Sequence, residues 1–220
     1  MRFLILLFAL CTFGLQAQEL SFSAGYNYLS ASEWDKAVRI YNFSRPFLSE
    51  KQPLLTHGWE LGTTWLPIEK PTVKAGPAVT VANFKSYASN AGTEVGINAW
   101  LLHLDFVFRY EWEGKDTSLF WYAQFQGGAT FTMLSRTENG EVLEVDESPL
   151  TSFGVGPSFG IASGKHLLFL GKKRLGAQLG AVASPFLFTD KSEVVLNQSS
   201  TLLSSSTTFF QFSASLFLSL

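Results

Sequence analysis

Beyond residue 18, apolar and polar residues alternate with a period of two in one short run after another, the signature of strands with one apolar face. Leu20, Phe22, Ala24, Tyr26 and Tyr28 alternate with Ser21, Ser23, Gly25 and Asn27, which predicts a strand over 19–30. A second, over 54–66, sets Leu55, Trp59, Leu61 and Trp65 against Thr56, Gly58, Glu60, Gly62 and Thr64. A third, over 75–87, is carried by Val79 and Val81 against Ala78, Thr80 and Ala82. The clearest run is the fourth: Trp100, Leu102, Leu104, Phe106, Phe108, Tyr110 and Trp112 oppose His103, Asp105, Arg109 and Glu111. Further strands are expected over 118–134, 150–162 and 175–188, and the chain closes on FFQFSASLFLSL over 209–220. These make eight, an even number of the kind bacterial membrane barrels use.

The segments between strands differ in length. Residues 31–53, 88–94, 135–149 and 189–206 read as the long, polar connections, and 67–74, 113–117 and 163–174 as the shorter ones. Long loops on one rim and short turns on the other suit a membrane barrel with both termini on the short-turn side. Within the first long connection, SEWDKAVRIYNF (32–43) places Trp34, Val38 and Tyr41 at helical spacing, with Ser32 as N-cap and Asp35 three residues on. A helix of one or two turns is expected there.

Alternation alone does not say which face is inside; volume does. The lumen of an eight-stranded barrel is just wide enough for side chains. The apolar faces carry Trp59, Trp65, Trp100, Trp112, Trp121 and many of the chain's 21 Phe, too bulky to share that space. The opposite faces are mainly Gly, Ser, Thr and Gln and fit it. Bulky residues therefore point to lipid. Tyr26, Tyr28, Trp65, Trp100, Tyr110 and Trp112 fall near strand ends, where aromatic girdles meet the two membrane surfaces. The sequence thus predicts an all-β protein, an eight-stranded antiparallel transmembrane β-barrel, because a closed barrel leaves no strand edge unsatisfied in hydrocarbon.

The start of the chain agrees. Arg2 precedes an uncharged apolar run from Phe3 to Leu15, and Ala17 offers a small residue before a cut ahead of Gln18. That pattern reads as a secretory signal peptide over 1–17, too short to be a spanning helix. It leaves one barrel domain over 18–220. Cys11 is the only cysteine and falls in the leader, so no disulfide is expected in the exported part. A net charge of −2 gives no polybasic signal for nucleic acid or for a membrane surface.

The leader, the eight alternating runs and FFQFSASLFLSL together resemble the small outer-membrane β-barrel superfamily, which includes the OmpA membrane domain and the OmpX and OmpW types. That resemblance implies residence in a bacterial outer membrane, with outer-membrane lipids and the barrel-assembly machinery as partners. Its C-terminal assembly signal has a polar residue, a glycine two on, then hydrophobic residues ending in an aromatic. Ser213, Leu218 and Leu220 match its polar and hydrophobic positions, while Ser215 replaces the glycine and Leu220 the terminal aromatic.

Candidate chemistry is confined to the inward face. Glu60, His103, Asp105, Arg109 and Glu111 are expected in the lumen, where acidic and basic groups must pair because an unpaired buried charge is costly. The bland reading is a salt-bridge and hydrogen-bond network filling the barrel. The sharper ones are a gated polar path or a His103–Asp105 proton-transfer pair. Outer-membrane barrels include lipid A deacylases, whose pattern needs a serine two residues after a histidine on an outward face. His57, His103 and His166 are followed at that offset by Trp59, Asp105 and Leu168, so the pattern is absent. Three scattered histidines without a cysteine suggest no transition-metal site, and no cofactor is called for. The leading expectation is a non-enzymatic surface protein with a largely plugged lumen. The alternatives are a narrow channel for small or hydrophobic solutes, or an accessory subunit with an envelope or secretion partner.

Overall fold

The computed structural model describes residues 19–54, 56–70, 72–113, 119–163, 174–187 and 206–220. The leader, the segment holding His166 and much of the last long connection lie outside the described residues.

The strands are β1 (Glu19–Ser30), β2 (His57–Leu66), the two-residue β3 (Ile68–Glu69), β4 (Val73–Asn90), β5 (Thr93–Glu113), β6 (Leu119–Glu138), β7 (Glu141–Ser163), β8 (Arg174–Leu187) and β9 (Ser206–Ser219). Every pairing is antiparallel. The ladder runs β2-β1-β9-β8-β7-β6-β5-β4 and closes through a β2–β4 pairing. Because β3 continues the β2 edge alongside β4, the result is a closed eight-stranded barrel. Leu220 completes the seam, its backbone N–H donating to the carbonyl of Leu20 at 2.8 Å. The β6–β7 ladder shifts register between Thr132 and Leu134 and between Arg136 and Thr137, and β7–β8 is interrupted between the Val155–Ala183 and Ser158–Gly180 pairs, where Pro157 has no N–H to donate.

Side-chain direction follows the alternation. On β1, Ser21 and Asn27 are buried inside while Phe22, Tyr26 and Tyr28 are exposed outside. On β5, His103, Asp105, Arg109 and Glu111 are buried while Leu104, Phe106, Phe108, Tyr110 and Trp112 are exposed. Phe209 and Phe217 are the two large apolar residues on the inner face of β9, and each meets an aromatic partner. Phe217 packs edge-on to Tyr122 at 5.8 Å, and Phe209 packs edge-on to Trp34 at 5.8 Å. Glycines make the first pair fit. A Cβ on Gly176 would lie 2.2 Å from the Phe217 ring, and one on Gly160 would lie 2.1 Å from the Tyr122 ring.

Two expected loops are corrected. Residues 88–94 and 135–149 are not long connections, since β4 and β5 join through Ala91-Gly92 and β6 and β7 through Asn139-Gly140. Both residues of each turn have positive φ (47° and 88°; 48° and 83°), the geometry that matches the right-handed twist of the flanking strands. In consequence β5 and β7 reach 21 and 23 residues, about twice what a membrane crossing needs. The surplus rises above one rim.

The helix is also longer than its sequence signal implied. α1 (Ser32–Ser44) has 13 residues, and Ala31, not Ser32, holds the extended N-cap position without a capping side chain. Glu33 and Asp35 in the first turn face the positive end of the helix dipole. Burial raises the Asp35 carboxyl above the ordinary carboxylate range, and the nearby Arg39 charge opposes that rise. Trp34, Val38 and Tyr41 form the buried stripe, with Trp34 only 1% exposed. Trp34 and Val38 lie over the barrel mouth against Leu29, Phe84, Ile97, Ala99, Leu101, Leu134 and Phe209. The chain returning from α1 is pinned: Asn42 donates to the Gln52 carbonyl (2.7 Å) and accepts from the Gln52 N–H (2.8 Å). Further on, Glu50 and Ser89 exchange backbone bonds of 3.1 Å, and the Ser86 hydroxyl donates to the Pro53 carbonyl.

Candidate functional site

The five inward residues singled out from sequence do not form one constellation; the lumen holds three separate groups. At the base, Glu19 accepts from Lys74 (2.6 Å) and from Arg109 (2.8 Å), and Ser219 adds a bond of 3.0 Å. Glu111 lies 3.1 Å from Lys74, and 3.7 Å from both Arg109 and Arg174. The Arg109 guanidinium also lies 4.4 Å over the Tyr122 ring, and its Nε donates to Gln124 at 3.1 Å. Such a network offsets the cost of burying ions only when each is paired and hydrogen-bonded, as these are. Glu19, Lys74, Arg174 and Tyr122 are not among the five lumen residues singled out from sequence. The inward parity of β1, β4, β6 and β8 was the signal that could have found them.

In the middle, His103 on β5 reaches Gln211 on β9 at 2.9 Å through Nε2, and Thr130 at 3.0 Å through Nδ1. Thr130 passes the chain on to Ser184 at 3.2 Å. Since β5 and β9 stand four strands apart either way around the barrel, the His103–Gln211 bond crosses its full width. Asp105 is oriented by Gln126 at 3.4 Å, not by His103. Both imidazole nitrogens are committed elsewhere, so the two do not form a proton-transfer dyad. Glu60 accepts from Asn27 at 2.8 Å. Between the middle bridge and the base lies a polar chamber of about 50 Å³ lined by Glu60, His103, Arg109, Gln124, Gln126 and Gln211, among others. At the top, the third group is the apolar contact of Trp34 and its neighbours with Phe209.

The outer wall inverts this polarity. On β5 the outward row from Trp100 to Trp112 is unbroken apolar or aromatic. At about 3.4 Å per residue and a strand tilt near 45°, it spans roughly 28 Å of height, close to the apolar band of about 25 Å on membrane barrels. Trp112 is paired in register with Trp121 at the lower limit. Trp59 meets Trp100 edge-on at 5.4 Å at the upper limit. Tyr110 lies beside Trp112 at 6.0 Å, and Trp65 is partly covered next to Leu20 on the lower part of β2. Above the upper pair the outward residues turn polar: Lys85 registers with Asn98. His57 sits at this height, hydrogen-bonded to the Tyr26 hydroxyl and flanked edge-on by Tyr28. On β9, Ser213 faces inward while Leu218 and the exposed Leu220 face outward.

Among the described residues, no group of three or more His, Cys, Asp or Glu side chains is placed to hold a metal ion. No protein-family model matches the chain, and no curated protein sequence does. Among solved structures, Neisserial surface protein A is similar at 10% identity over 92% of this chain and 96% of its own, with a TM-score of 0.48. Ail, the attachment invasion locus protein of Yersinia pestis, matches at 11% identity over 93% and 100%, with a TM-score of 0.42. The outer membrane protein OprG from Pseudomonas aeruginosa matches at 9% over 94% and 98%, with a TM-score of 0.40. These figures describe a distant likeness, and the assignment of the chain as a closed eight-stranded antiparallel β-barrel rests on its own strand register.

Proposed function

We propose that this chain is a non-enzymatic integral protein of a bacterial outer membrane. Its lumen is closed by its own side chains, and its tall hairpins and α1 face the outside. One observation carries the reading: the interior is bridged at three heights, by Glu19–Arg109, His103–Gln211 and Trp34–Phe209. The apolar belt supports membrane residence, since in water such a belt would be an exposed patch far larger than monomers tolerate. Outer-membrane lipids are then its annular partners, and the barrel-assembly machinery reads the β9 signal at Ser213, Leu218 and Leu220.

A narrow passage for small solutes is the second reading. The polar chamber favours it, because Gln178 and Ser215 line both that chamber and a groove on the outer wall. Single-channel recording of the refolded protein in a planar bilayer separates the two. The closed-lumen reading expects silence across voltage and pH, and a sustained unitary current in the wild type overturns it.

A further inference from the structure

Gly62, on the lumen side of β2, is ringed by oxygen-bearing side chains. Glu60 and Thr64 flank it two residues away on the same face of the strand. Ser23 on β1 and Thr80 on β4 stand beside it in register. Both of these hydroxyls lean over the glycine: a Cβ there would lie 2.6 Å from Ser23 Oγ and 3.1 Å from Thr80 Oγ1. All four side chains line the polar chamber of about 50 Å³. That volume accommodates a small ion with a water or two, since a single water needs about 10–15 Å³ on the same measure.

Charge selects the occupant. In the base network Glu19 and Glu111 each meet cations, but Glu60 and Asp105 do not. Among the described residues, neither has a lysine, arginine or histidine within ion-pair distance. Arg109, which also lines the chamber, is already committed to Glu19 at 2.8 Å and Glu111 at 3.7 Å. Glu60 is not short of hydrogen bonds, since Asn27 donates at 2.8 Å and the Ser215 hydroxyl donates another. What it lacks is positive charge, and an uncompensated carboxylate buried in a lumen is costly. In addition, Asn27 Oδ1 and Asp105 Oδ1 are buried acceptors without a donor among the described residues. We propose that the chamber binds one hard monovalent cation of sodium size, held by Glu60 and the hydroxyls of Ser23, Thr64 and Thr80 around Gly62. Hard cations take oxygen ligands, and one carboxylate among neutral hydroxyls matches a single charge. The site depends on lumen packing alone, and so exists in detergent as in a membrane.

The test is urea unfolding of the refolded barrel in detergent micelles, with sodium chloride exchanged for choline chloride at constant ionic strength. Choline is too large for the chamber. In the wild type the folding constant should rise with sodium, about tenfold for each tenfold increase once the site is near saturation. Gly62→Ala, which puts a methyl group inside the ring of oxygens, and Glu60→Gln, which removes the charge, should each abolish the sodium dependence. Thr132→Val, which removes a buried lumen hydroxyl that does not line the chamber, should keep it. Should Glu60→Gln not fold, Ser23→Ala takes its place and should move the response to higher sodium. Equal wild-type stability in sodium and choline overturns the site, as does a sodium response that survives in the cradle variants. If acid alone supplies the stabilisation and sodium adds nothing, Glu60 holds a proton and the cation site falls.

Discussion

Glu19 shows how much one side chain decides in this lumen. It is the carboxylate shared by Lys74 and Arg109, and with Glu111 it faces three cations, counting Arg174. Removing one member of a buried ion network costs about 3–5 kcal/mol, because the charges left behind stay buried and unpaired. Glu19→Gln is therefore expected to destabilise the barrel by about that amount in urea unfolding from lipid vesicles. Glu19→Gln combined with Arg109→Met should recover part of the loss, since one orphaned charge is then gone. A single variant as stable as the wild type would show that the base network contributes nothing to stability. Glu19 is also the residue hardest to single out in sequence. It abuts the leader, the next inward residues on its strand are serines, and only the inward parity shared with Ser21 and Ser23 places it in the lumen.

At the scale of elements, α1 and the hairpins are where sequence and structure part. The period-two signal located all eight strands because, inside the membrane, lipid and lumen impose opposite demands on alternate residues. Above the belt that contrast reverses. The outward face meets water and carries Lys85 and Asn98, while the inward face meets α1 and carries Phe84, Ile97, Ala99 and Leu101. At the crossover the two patterns overlap, so that INAWLL (97–102) reads as a blurred run and the polar stretches beyond it look like loops. The Asn139-Gly140 pair is a strong hairpin signal set among acidic residues that read as a polar connection. For α1, the spacing of Trp34, Val38 and Tyr41 gave the buried stripe but not what it covers, since Phe209 lies far along the chain. Truncating a buried Trp costs about 3–5 kcal/mol. Trp34→Ala should accordingly release α1 and expose the 45–54 segment to protease in intact vesicles. It should do so without opening a conducting path, because Glu19–Arg109 and His103–Gln211 still cross the lumen. A steady current in this variant would mean that α1 alone closes the barrel.

For the whole molecule, the decisive question is where the hydrocarbon lies, and the wall supplies a depth scale. Phe106 is midway between Trp100 and Trp112, exposed on the outer face of β5, and so sits at the centre of the belt. Met133, exposed on the outer face of the neighbouring strand, registers with Trp100 at the upper limit of the belt. An arginine facing lipid costs about 2–4 kcal/mol at the bilayer midplane and about 0–1 near the interface. Phe106→Arg should thus lower unfolding stability in vesicles by about 2–4 kcal/mol, and Met133→Arg by about 1 kcal/mol or less. The lumen cannot mimic this gradient, because both residues point away from it and neither touches the ion network. Equal costs at the two heights would place the belt elsewhere than in hydrocarbon. A Phe106→Arg protein that stays folded in water without detergent would remove the membrane from the account altogether.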